Sequence, residues 1–493
     1  MRDTMTWRST LTKEFEAART AYGRIPMPAA DLLETELILT LLAEYLPGED
    51  PEQAWAIMNG YPFPARVALS DAARKAITRA RLHLRAPLGR STWTRWLAQY
   101  RQLPAPYPIY SLHNGAIVTQ LTTLAPERQA LLQAALGTPP PWEVERPRFA
   151  PAGVYRFIVN REPYEVEVDG RSAALARRYV ANSLTPQRER APINVTLNEL
   201  VATSRWMDRS LGSDRWERTM REIQLRLVTA DGFAETDTLC LDGLRHMIGM
   251  LGSGKSTLLT VLSTHLARKG LRVVLVYGDV ATLLRELDTY ERLRRDDDKV
   301  VAVPLIGRST RLAHLNRLHA AERDRNEIGL ELAHPGFTAL STLCPLDGLR
   351  QDARPIPTGQ EPCTTLAEPP AGEEGSEPRR YDCPFLPVCP VHQTSQALLD
   401  AKIWLATPAS LLASSPQRPF IQERMRFIEL VMWSADVVLV DEADMVQVQF
   451  DDRFAQTEVL IGRSDSWLDR LYTQVARQVY RPGRPLVPAP TPS

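Results

Sequence analysis

The first third of the chain repeats apolar and polar positions at helical spacing. Residues 31–45 carry a wide apolar stripe that stops before Pro47 and Gly48. Residues 70–84 begin with Ser70, a residue type that caps helix N-termini, and gather basic side chains on one face. Apolar residues that recur every three to four positions predict amphipathic helices. We therefore expect a mainly helical region up to about residue 145.

A third helical segment, residues 90–101, interleaves arginine with tryptophan and tyrosine. Such a mixture can bind nucleic acid through ring stacking and positive charge. We favour the simpler interpretation, an amphipathic helix whose aromatic rings pack inward while its arginines face water.

Apolar and polar positions alternate with a period of two in residues 153–159 and 164–168, which flank a short polar turn. This alternation predicts a β-hairpin. Residues 172–180 return to a helical pattern, and no motif with assignable chemistry occurs before about residue 190.

Continuous apolar runs appear in the second half of the chain. Residues 271–277, 300–305 and 436–440 read as buried strands. Residues 257–267 predict a helix that ends at Lys269 and Gly270, because glycine commonly follows a helix C-terminus. Strands that alternate with helices are typical of an α/β domain with a parallel sheet.

A phosphate-binding loop lies directly before that helix. The stretch from Gly249 to Ser256 fits G-x-x-x-x-G-K-[ST]. Its glycines let backbone N–H groups turn toward phosphate oxygens, Lys255 supplies a positive charge for the β/γ-phosphates, and Ser256 can ligate Mg²⁺. The predicted site for ATP and Mg²⁺ consists of Gly249, Gly252, Ser253, Gly254, Lys255, Ser256, Thr257 and Asp441.

An acidic sequence, Asp441-Glu-Ala-Asp444, follows the last apolar run, at the strand end where ligands bind in open parallel sheets. Asp441 is predicted to hold Mg²⁺, directly or through water. Glu442 is predicted to orient and deprotonate the attacking water. Lys255, Asp441 and Glu442 are thus the candidate catalytic residues, although acidic turns after strands are also common without any function.

The overall composition limits the possible classes of protein. With 493 residues the chain is too long for one core, and about three domains are expected. Lys and Arg balance Asp and Glu at 59 each, so net charge alone does not argue for nucleic acid binding. There is no apolar leader and no apolar run long enough to span a bilayer, so we expect a cytoplasmic protein that does not bind membranes.

Four of the five cysteines, Cys344, Cys363, Cys383 and Cys389, lie between the phosphate-binding loop and the acidic sequence. Clustered cysteines in an intracellular chain favour metal binding over disulfides. Their long, unequal gaps do not suit a zinc ribbon but are compatible with a [4Fe–4S] cluster held by four thiolates. A four-cysteine zinc site and four unrelated buried cysteines remain the alternatives.

Residues 240–450 together resemble the first motor domain of superfamily 2 helicases of the XPD/DinG type. The order of phosphate-binding loop, four-cysteine insert and Asp-Glu-Ala-Asp carries the resemblance, and Gly307-Arg308 upstream of Cys344 agrees with it. The resemblance implies that the four cysteines bind a [4Fe–4S] cluster and that residues 278–284 occupy the place of a DNA-contacting motif. It also implies ATP-driven unwinding of single-stranded or forked DNA, usually 5′ to 3′.

The chain also departs from that family. Its loop reads Gly-Ser-Gly-Lys-Ser instead of the usual Thr-Gly-x-Gly-Lys-Thr, and only about fifty residues, ending in a proline-rich stretch, follow Asp444. A helicase needs a second RecA-like lobe. We therefore expect either a truncated polypeptide or a split helicase completed by a partner chain, as in helicase components of bacterial defence systems, including those beside Piwi-like proteins.

The fold prediction is an α/β protein: a RecA-like domain with a parallel sheet and a four-cysteine insert, preceded by a mainly helical region with a small β-hairpin. The function prediction is an ATP-dependent DNA helicase or translocase subunit. The alternatives are a nucleotide-binding assembly protein without unwinding activity and a zinc-containing ATPase outside the helicases. The predicted segments are 1–190 (accessory), 191–340 and 396–480 (motor), 341–395 (cluster insert) and 481–493 (tail).

Overall fold

The structure is a computed structural model, and it divides into two compact units, Met1–Glu442 and Ala443–Ser493. It describes residues 27–61, 69–84, 88–104, 107–113, 115–120, 127–139, 147–159, 162–179, 191–230, 232–250, 252–324, 334–349, 356, 360–369, 379–416, 425–454 and 467–479. The predicted tail, 481–493, lies outside the described residues.

The N-terminal region is a helical bundle built around one buried helix. Helix α1 (Ala29–Tyr45) is covered on all sides, and its leucines and isoleucine are inaccessible to solvent. The remaining elements are α2 (Ala54–Asn59), α3 (Asp71–His83), α4 (Arg90–Arg101), α5 (Glu127–Gly137) and the hairpin β1 (Tyr110–His113) and β2 (Ala116–Thr119). The Ser70 hydroxyl accepts a hydrogen bond from Ala73 N at 3.1 Å, so the predicted cap is present.

Helix α4 is an amphipathic helix with its aromatic rings packed inward, the simpler of the two interpretations of its sequence. Trp93, Trp96 and Tyr100 are buried, whereas Arg95 and Arg101 are exposed. The aromatic rings therefore contribute to the core of the bundle, and they are not available as a stacking surface for bases.

A buried ion pair lies inside the bundle. Arg128 Nε is 2.7 Å from Glu36 Oε2, and both side chains are inaccessible. Glu36 Oε1 also accepts a hydrogen bond from Ile109 N at 3.0 Å. Burial raises the pKa of Glu36, and the charge of Arg128 opposes that shift. Because a charge left alone in a core is costly, the two residues must be present together.

The bundle contacts the predicted motor region through helix α15 (Phe427–Ser434). The Arg81 guanidinium, almost fully buried, binds both carboxylate oxygens of Glu429 at 2.8 and 3.0 Å. Gly60 has φ +73, and a Cβ there would lie 2.7 Å from Glu429 Oε2. Arg74 stacks over the Trp433 ring at 4.9 Å. This contact ties the N-terminal bundle to the helix that precedes the acidic sequence.

The predicted hairpin is present, and it belongs to a larger sheet. Strands β3 (Gly153–Val159) and β4 (Glu162–Val168) pair in antiparallel fashion. The sheet continues with β11 (Leu366–Ala367) and β12 (Arg380–Tyr381), in the order β12-β11-β3-β4. Tyr155 and Phe157 share one core with Cys344 and Cys383. Hairpin and cysteine insert therefore form one structural element, although they are far apart in sequence.

A connecting region leads from this sheet to the phosphate-binding loop. It contains the short helix α6 (Gly170–Ala174), strand β5 (Ile193–Thr196) paired with β8 (Thr238–Leu241), and the hairpin β6 (Leu225–Thr229) and β7 (Gly232–Thr236). Helices α7 (Leu197–Leu211) and α8 (Arg215–Glu222) lie between β5 and β6. Thr196 and Glu199 form a capping box at the start of α7.

The α/β part of the chain has the predicted parallel sheet. Its strands are β9 (Val273–Val276), β10 (Ala302–Pro304), β13 (Ile403–Ala406) and β14 (Val437–Val440), in the order β10-β13-β9-β14. Its helices are α9 (Lys255–Arg268), α10 (Val280–Arg294), α11 (Arg311–Asp324), α12 (Pro335–Ala339), α13 (Gln393–Ala397), α14 (Pro408–Ala413) and α15. The α/β class with a helical N-terminal region is confirmed.

The second unit contains helices α16 (Ala443–Phe454) and α17 (Trp467–Val479). Within the described parts of both units, no helix combines the length and apolarity needed to cross a bilayer.

Candidate active site

The phosphate-binding loop depends on glycine at several positions. Gly252 and Gly254 have φ values of +77 and +83, a region that side chains disfavour. A Cβ on Gly254 would also lie 3.0 Å from the Thr219 side chain, and one on Gly249 would lie 2.7 Å from Ser253 Oγ. The loop is therefore compact because it lacks these side chains.

Lys255 begins helix α9 and points back into the loop. Its Nζ donates to Gly249 O at 2.6 Å and to Met250 O at 2.9 Å. These carbonyls hold the ammonium group inside the curve of the loop. Thr257 follows in the first turn of α9, half-buried, and Ser253 is exposed. The N-terminus of α9 also faces this loop, and helix N-termini favour anions.

Strand β14 brings the acidic sequence to the same place. Asp441 N donates to Val276 O at 3.0 Å, which extends the pairing of β14 with β9. Ser256 Oγ donates to Asp441 Oδ2 at 3.5 Å, although the two residues are 185 positions apart. A hydroxyl and a carboxylate at this distance are suitable oxygen ligands for one Mg²⁺ ion.

Glu442 adopts an unusual backbone conformation. Its φ is 49°, and no other non-glycine residue in the described ranges has a positive φ. Its carboxylate is exposed and lies at the start of the loop after β9, where Oε2 would be 3.9 Å from a Cβ on Gly278. Such conformations cost free energy and cluster at functional sites.

The sequence patterns do not identify one half-buried carboxylate behind the loop. Glu286 of α10 accepts a hydrogen bond from Thr260 of α9 at 3.2 Å. Burial raises the pKa of Glu286, and the negative charge of Asp441 adds to this shift. The sequence gives little signal, because Glu286 is one of three carboxylates in α10, beside Asp288 and Glu291, and such helices are too common to identify a site.

Residues 278–284 lie at the start of α10. Asp279 caps this helix, because its Oδ1 accepts from Thr282 N at 2.9 Å. The described contact gives Asp279 a structural role in addition to the DNA contact that the resemblance implies.

The four cysteines of the insert come together in space. Cys344, Cys383 and Cys389 are buried and Cys363 is half-buried, while Cys240 is exposed on β8. Cys383 N donates to Cys363 O at 2.8 Å. Burial raises the pKa of Cys344 to about 11, and the negative charge of Cys389 adds to this shift. The pKa of Cys363 is raised to about 12, again chiefly by burial.

Backbone N–H groups point at three of these sulfurs. Leu346 and Asp347 donate to Cys344, Phe385 donates to Cys383, and Val391 and His392 donate to Cys389; these bonds lower the pKa of each thiol against the effect of burial. Asp347 and His392 share their N–H groups with the carbonyls of Cys344 and Cys389, each at 3.0 Å. Metal-bound thiolates in proteins accept hydrogen bonds of this kind. The donor set therefore fits four thiolate ligands.

Arg308 adds positive charge to the same place. It contacts Glu361, and its charge lowers the pKa of Cys363 and Cys389. Over the described ranges, no three Cys, His, Asp or Glu side chains lie close enough to hold one metal ion together. Sulfurs around a multinuclear cluster lie further apart, because the metal–sulfide core stands between them. Four thiolates are the ligand set of an iron–sulfur cluster and of a four-cysteine zinc site alike.

Part of the chain is similar to a known domain family. Residues 24–180 match the family model described as pPIWI RE three-gene island domain Z. Searches of curated proteins and of solved structures gave no match. The matched domain comes from a multi-gene island linked to defence systems, which indicates that the protein works with partner proteins.

Proposed function

We propose that this protein is an ATP-dependent DNA helicase or translocase subunit of the iron–sulfur XPD/DinG type, acting with a partner protein in a defence system. The contact between Ser256 and Asp441 carries the proposal, because it joins the phosphate-binding loop to the acidic strand end. Two motifs that the sequence separates widely meet where ATP hydrolysis requires them.

The residues of the site then have distinct roles. The loop N–H groups and the N-terminus of α9 bind the phosphates, and Lys255 neutralises their charge. Ser256 and Asp441 hold Mg²⁺. Glu442 accepts a proton from the attacking water, and its strained backbone keeps the carboxylate at the end of β14.

A [4Fe–4S] cluster would be bound by Cys344, Cys363, Cys383 and Cys389. When bound, it links three separate loops covalently through the metal. Because these loops share a sheet and a core with hairpin β3–β4, the ligands also fix domain Z to the motor region. The residues around the cluster would thereby brace a surface for single-stranded DNA.

The described residues contain one parallel sheet of the kind that forms a RecA-like lobe. The mechanism needs a second such lobe that closes on the nucleotide. The segment that leads to the loop exposes large apolar side chains: Leu244 is 83% exposed, Ile248 95% and Met250 83%. Apolar patches of this kind mark interfaces with other proteins. We propose that a partner polypeptide supplies the second lobe and covers this segment.

ATP hydrolysis tests the proposal. The chain is mixed with single-stranded DNA and with the proteins encoded beside it, and phosphate release is measured. DNA-stimulated hydrolysis should appear and should be lost on Lys255→Ala. Lys269→Ala is the matched control, because Lys269 follows the far end of the same helix and binds Glu199 at 2.8 Å. Hydrolysis that survives Lys255→Ala would overturn the assigned site.

A second candidate function is favoured by the domain Z match alone. In that case the chain is an assembly protein in which ATP fixes a conformation without strand separation. Strand separation by the full mixture on a forked DNA would exclude this alternative. Bound ATP with no unwinding under any combination of partners would favour it.

A further inference from the structure

One buried imidazole lies against the cysteine cluster. The His392 side chain is 1% exposed, and its Nε2 lies 3.2 Å from Cys363 Sγ. The contact is long-range in the chain, since 29 positions separate the two residues. His392 ends the short helical turn Pro390–His392, which directly follows Cys389, and the resemblance to known helicases assigned it no role.

The His392 imidazole gives the Cys363 sulfur a hydrogen-bond contact, as backbone N–H groups do for the other three thiols. Cys344, Cys383 and Cys389 each accept hydrogen bonds from backbone N–H groups. The hydrogen-bond contact described for the Cys363 sulfur is with the His392 ring. The backbone N–H of Cys363 is directed to Glu361 O at 2.8 Å, away from any sulfur.

His392 also connects two of the thiols. Its backbone N–H donates to the Cys389 carbonyl at 3.0 Å and also lowers the pKa of the Cys389 thiol, and its ring contacts Cys363. The adjacent carbonyl of Val391 accepts from the Arg311 guanidinium at 2.7 Å, which holds this segment in place. One residue therefore positions two ligands from different loops.

We propose that His392 donates its Nε2–H to the Cys363 thiolate and is a positioning residue of the iron–sulfur site. The inference rests on the proposed cluster and deepens it. Hydrogen bonds to cluster sulfurs stabilise the reduced, more negative state and so raise the reduction potential. The ring also shields the half-buried Cys363, the ligand that solvent reaches most easily.

The test compares three variants of the full chain, purified without oxygen. Iron and sulfide content, the EPR spectrum, the midpoint potential and the rate of iron loss to a chelator are measured. His392→Leu should keep four irons, shift the midpoint potential downward and lose iron several-fold faster. His392→Gln, whose amide can still donate, should lie between His392→Leu and the wild type. Cys363→Ser should lose the four-iron cluster.

Two results would overturn the inference without overturning the proposal that the wild-type protein holds a cluster. In one, His392→Leu keeps both the wild-type potential and the wild-type rate of iron loss. In the other, His392→Leu loses the cluster while Cys363→Ser retains it, which makes the histidine a ligand. If His392→Leu does not fold, as judged by ATP binding and thermal unfolding, the inference is judged from His392→Gln. This variant should have a lower midpoint potential and faster iron loss than the wild type, and wild-type values of both would overturn the inference. Wild-type protein without iron would instead overturn the proposed cluster.

Discussion

At the scale of single residues, Glu442 combines a proposed chemical role with a structural cost. A side chain at φ 49° is disfavoured relative to glycine by about 1–2 kcal/mol. We predict that Glu442→Gly stabilises the chain by this amount, whereas Glu442→Gln leaves stability unchanged. Both should reduce ATP hydrolysis by roughly 10²–10⁴-fold, since each lacks the general base. Thermal unfolding and phosphate release measure the two effects.

The same pair of variants can contradict this interpretation. If Glu442→Gly is no more stable than the wild type, the backbone conformation is not strained. If Glu442→Gln hydrolyses ATP normally, another residue activates the water.

A second residue-scale prediction concerns the buried pair in the N-terminal bundle. Arg128→Met removes one partner and leaves the Glu36 carboxylate in the core, which should cost about 3–5 kcal/mol of folding free energy. The control is Arg156→Met on β3, whose partner Glu165 is 54% exposed. That change should cost no more than about 1 kcal/mol. Denaturant unfolding compares the two, and equal losses would contradict the assigned burial.

At the scale of the element, the start of helix α7 depends on one carboxylate. A hydrogen bond from Lys269 lowers the pKa of Glu199 from 4.5 to about 2, and the capping bonds from Thr196 add to the shift. Because the folded pKa lies below the unfolded value, the unfolded chain takes up the proton first as the pH falls. The stabilisation is complete above about pH 4.5 and is lost toward pH 2.

We therefore predict that Glu199→Gln is less stable than the wild type at neutral pH and that the difference disappears toward pH 2. Thermal unfolding as a function of pH measures it. Arg205→Gln is not a suitable control, because a hydrogen bond from Arg205 lowers the pKa of Glu217 in the same way. Thr229→Val on hairpin β6–β7 perturbs no titrating group and should leave the pH profile unchanged. A pH-independent difference for Glu199→Gln would contradict the assigned pKa.

The elements themselves were largely predictable from local patterns. The apolar runs 271–277 and 436–440 correspond to β9 and β14, and the Ser70 cap is where its residue type placed it. The partners of strands were not predictable. Nothing in residues 153–168 indicates that β3 pairs with Ala367, because such pairing depends on tertiary contacts distant in sequence.

The same limit applied to the site. Local glycine and lysine spacing identified the loop, and the strand end identified Asp441. Their 3.5 Å contact could only be seen in the structure. Glu286 and His392 escaped notice because each is a single polar residue whose meaning comes from its neighbours in space.

At the scale of the whole molecule, the N-terminal bundle is joined to the proposed motor region through a close contact at Gly60. We predict that Gly60→Ala loosens this junction, because the new methyl group would lie 2.7 Å from Glu429 Oε2 and 3.2 Å from Arg426. Limited proteolysis and thermal unfolding should both show the effect. Gly48→Ala is the matched control, since Gly48 also has a positive φ but no atom within 4 Å of the added Cβ.

Both substitutions carry the backbone cost of about 1–2 kcal/mol, so only the excess in Gly60→Ala reports the junction. Equal destabilisation, with no change in the cleavage pattern, would show that the bundle and α15 do not depend on this contact.

The shared sheet has a consequence for how the protein is made. Hairpin β3–β4 leaves the ribosome long before β11 and β12 do. Tyr155 and Phe157 therefore stay exposed until the strands and core residues that pack against them have been synthesised, some two hundred residues later. Exposed apolar strands of this kind attract chaperones or other nascent chains. The proposed cluster could be inserted only after translation has passed Cys389. For the same reason, a fragment cut at the limits of the matched domain, residues 24–180, would lack part of its own core.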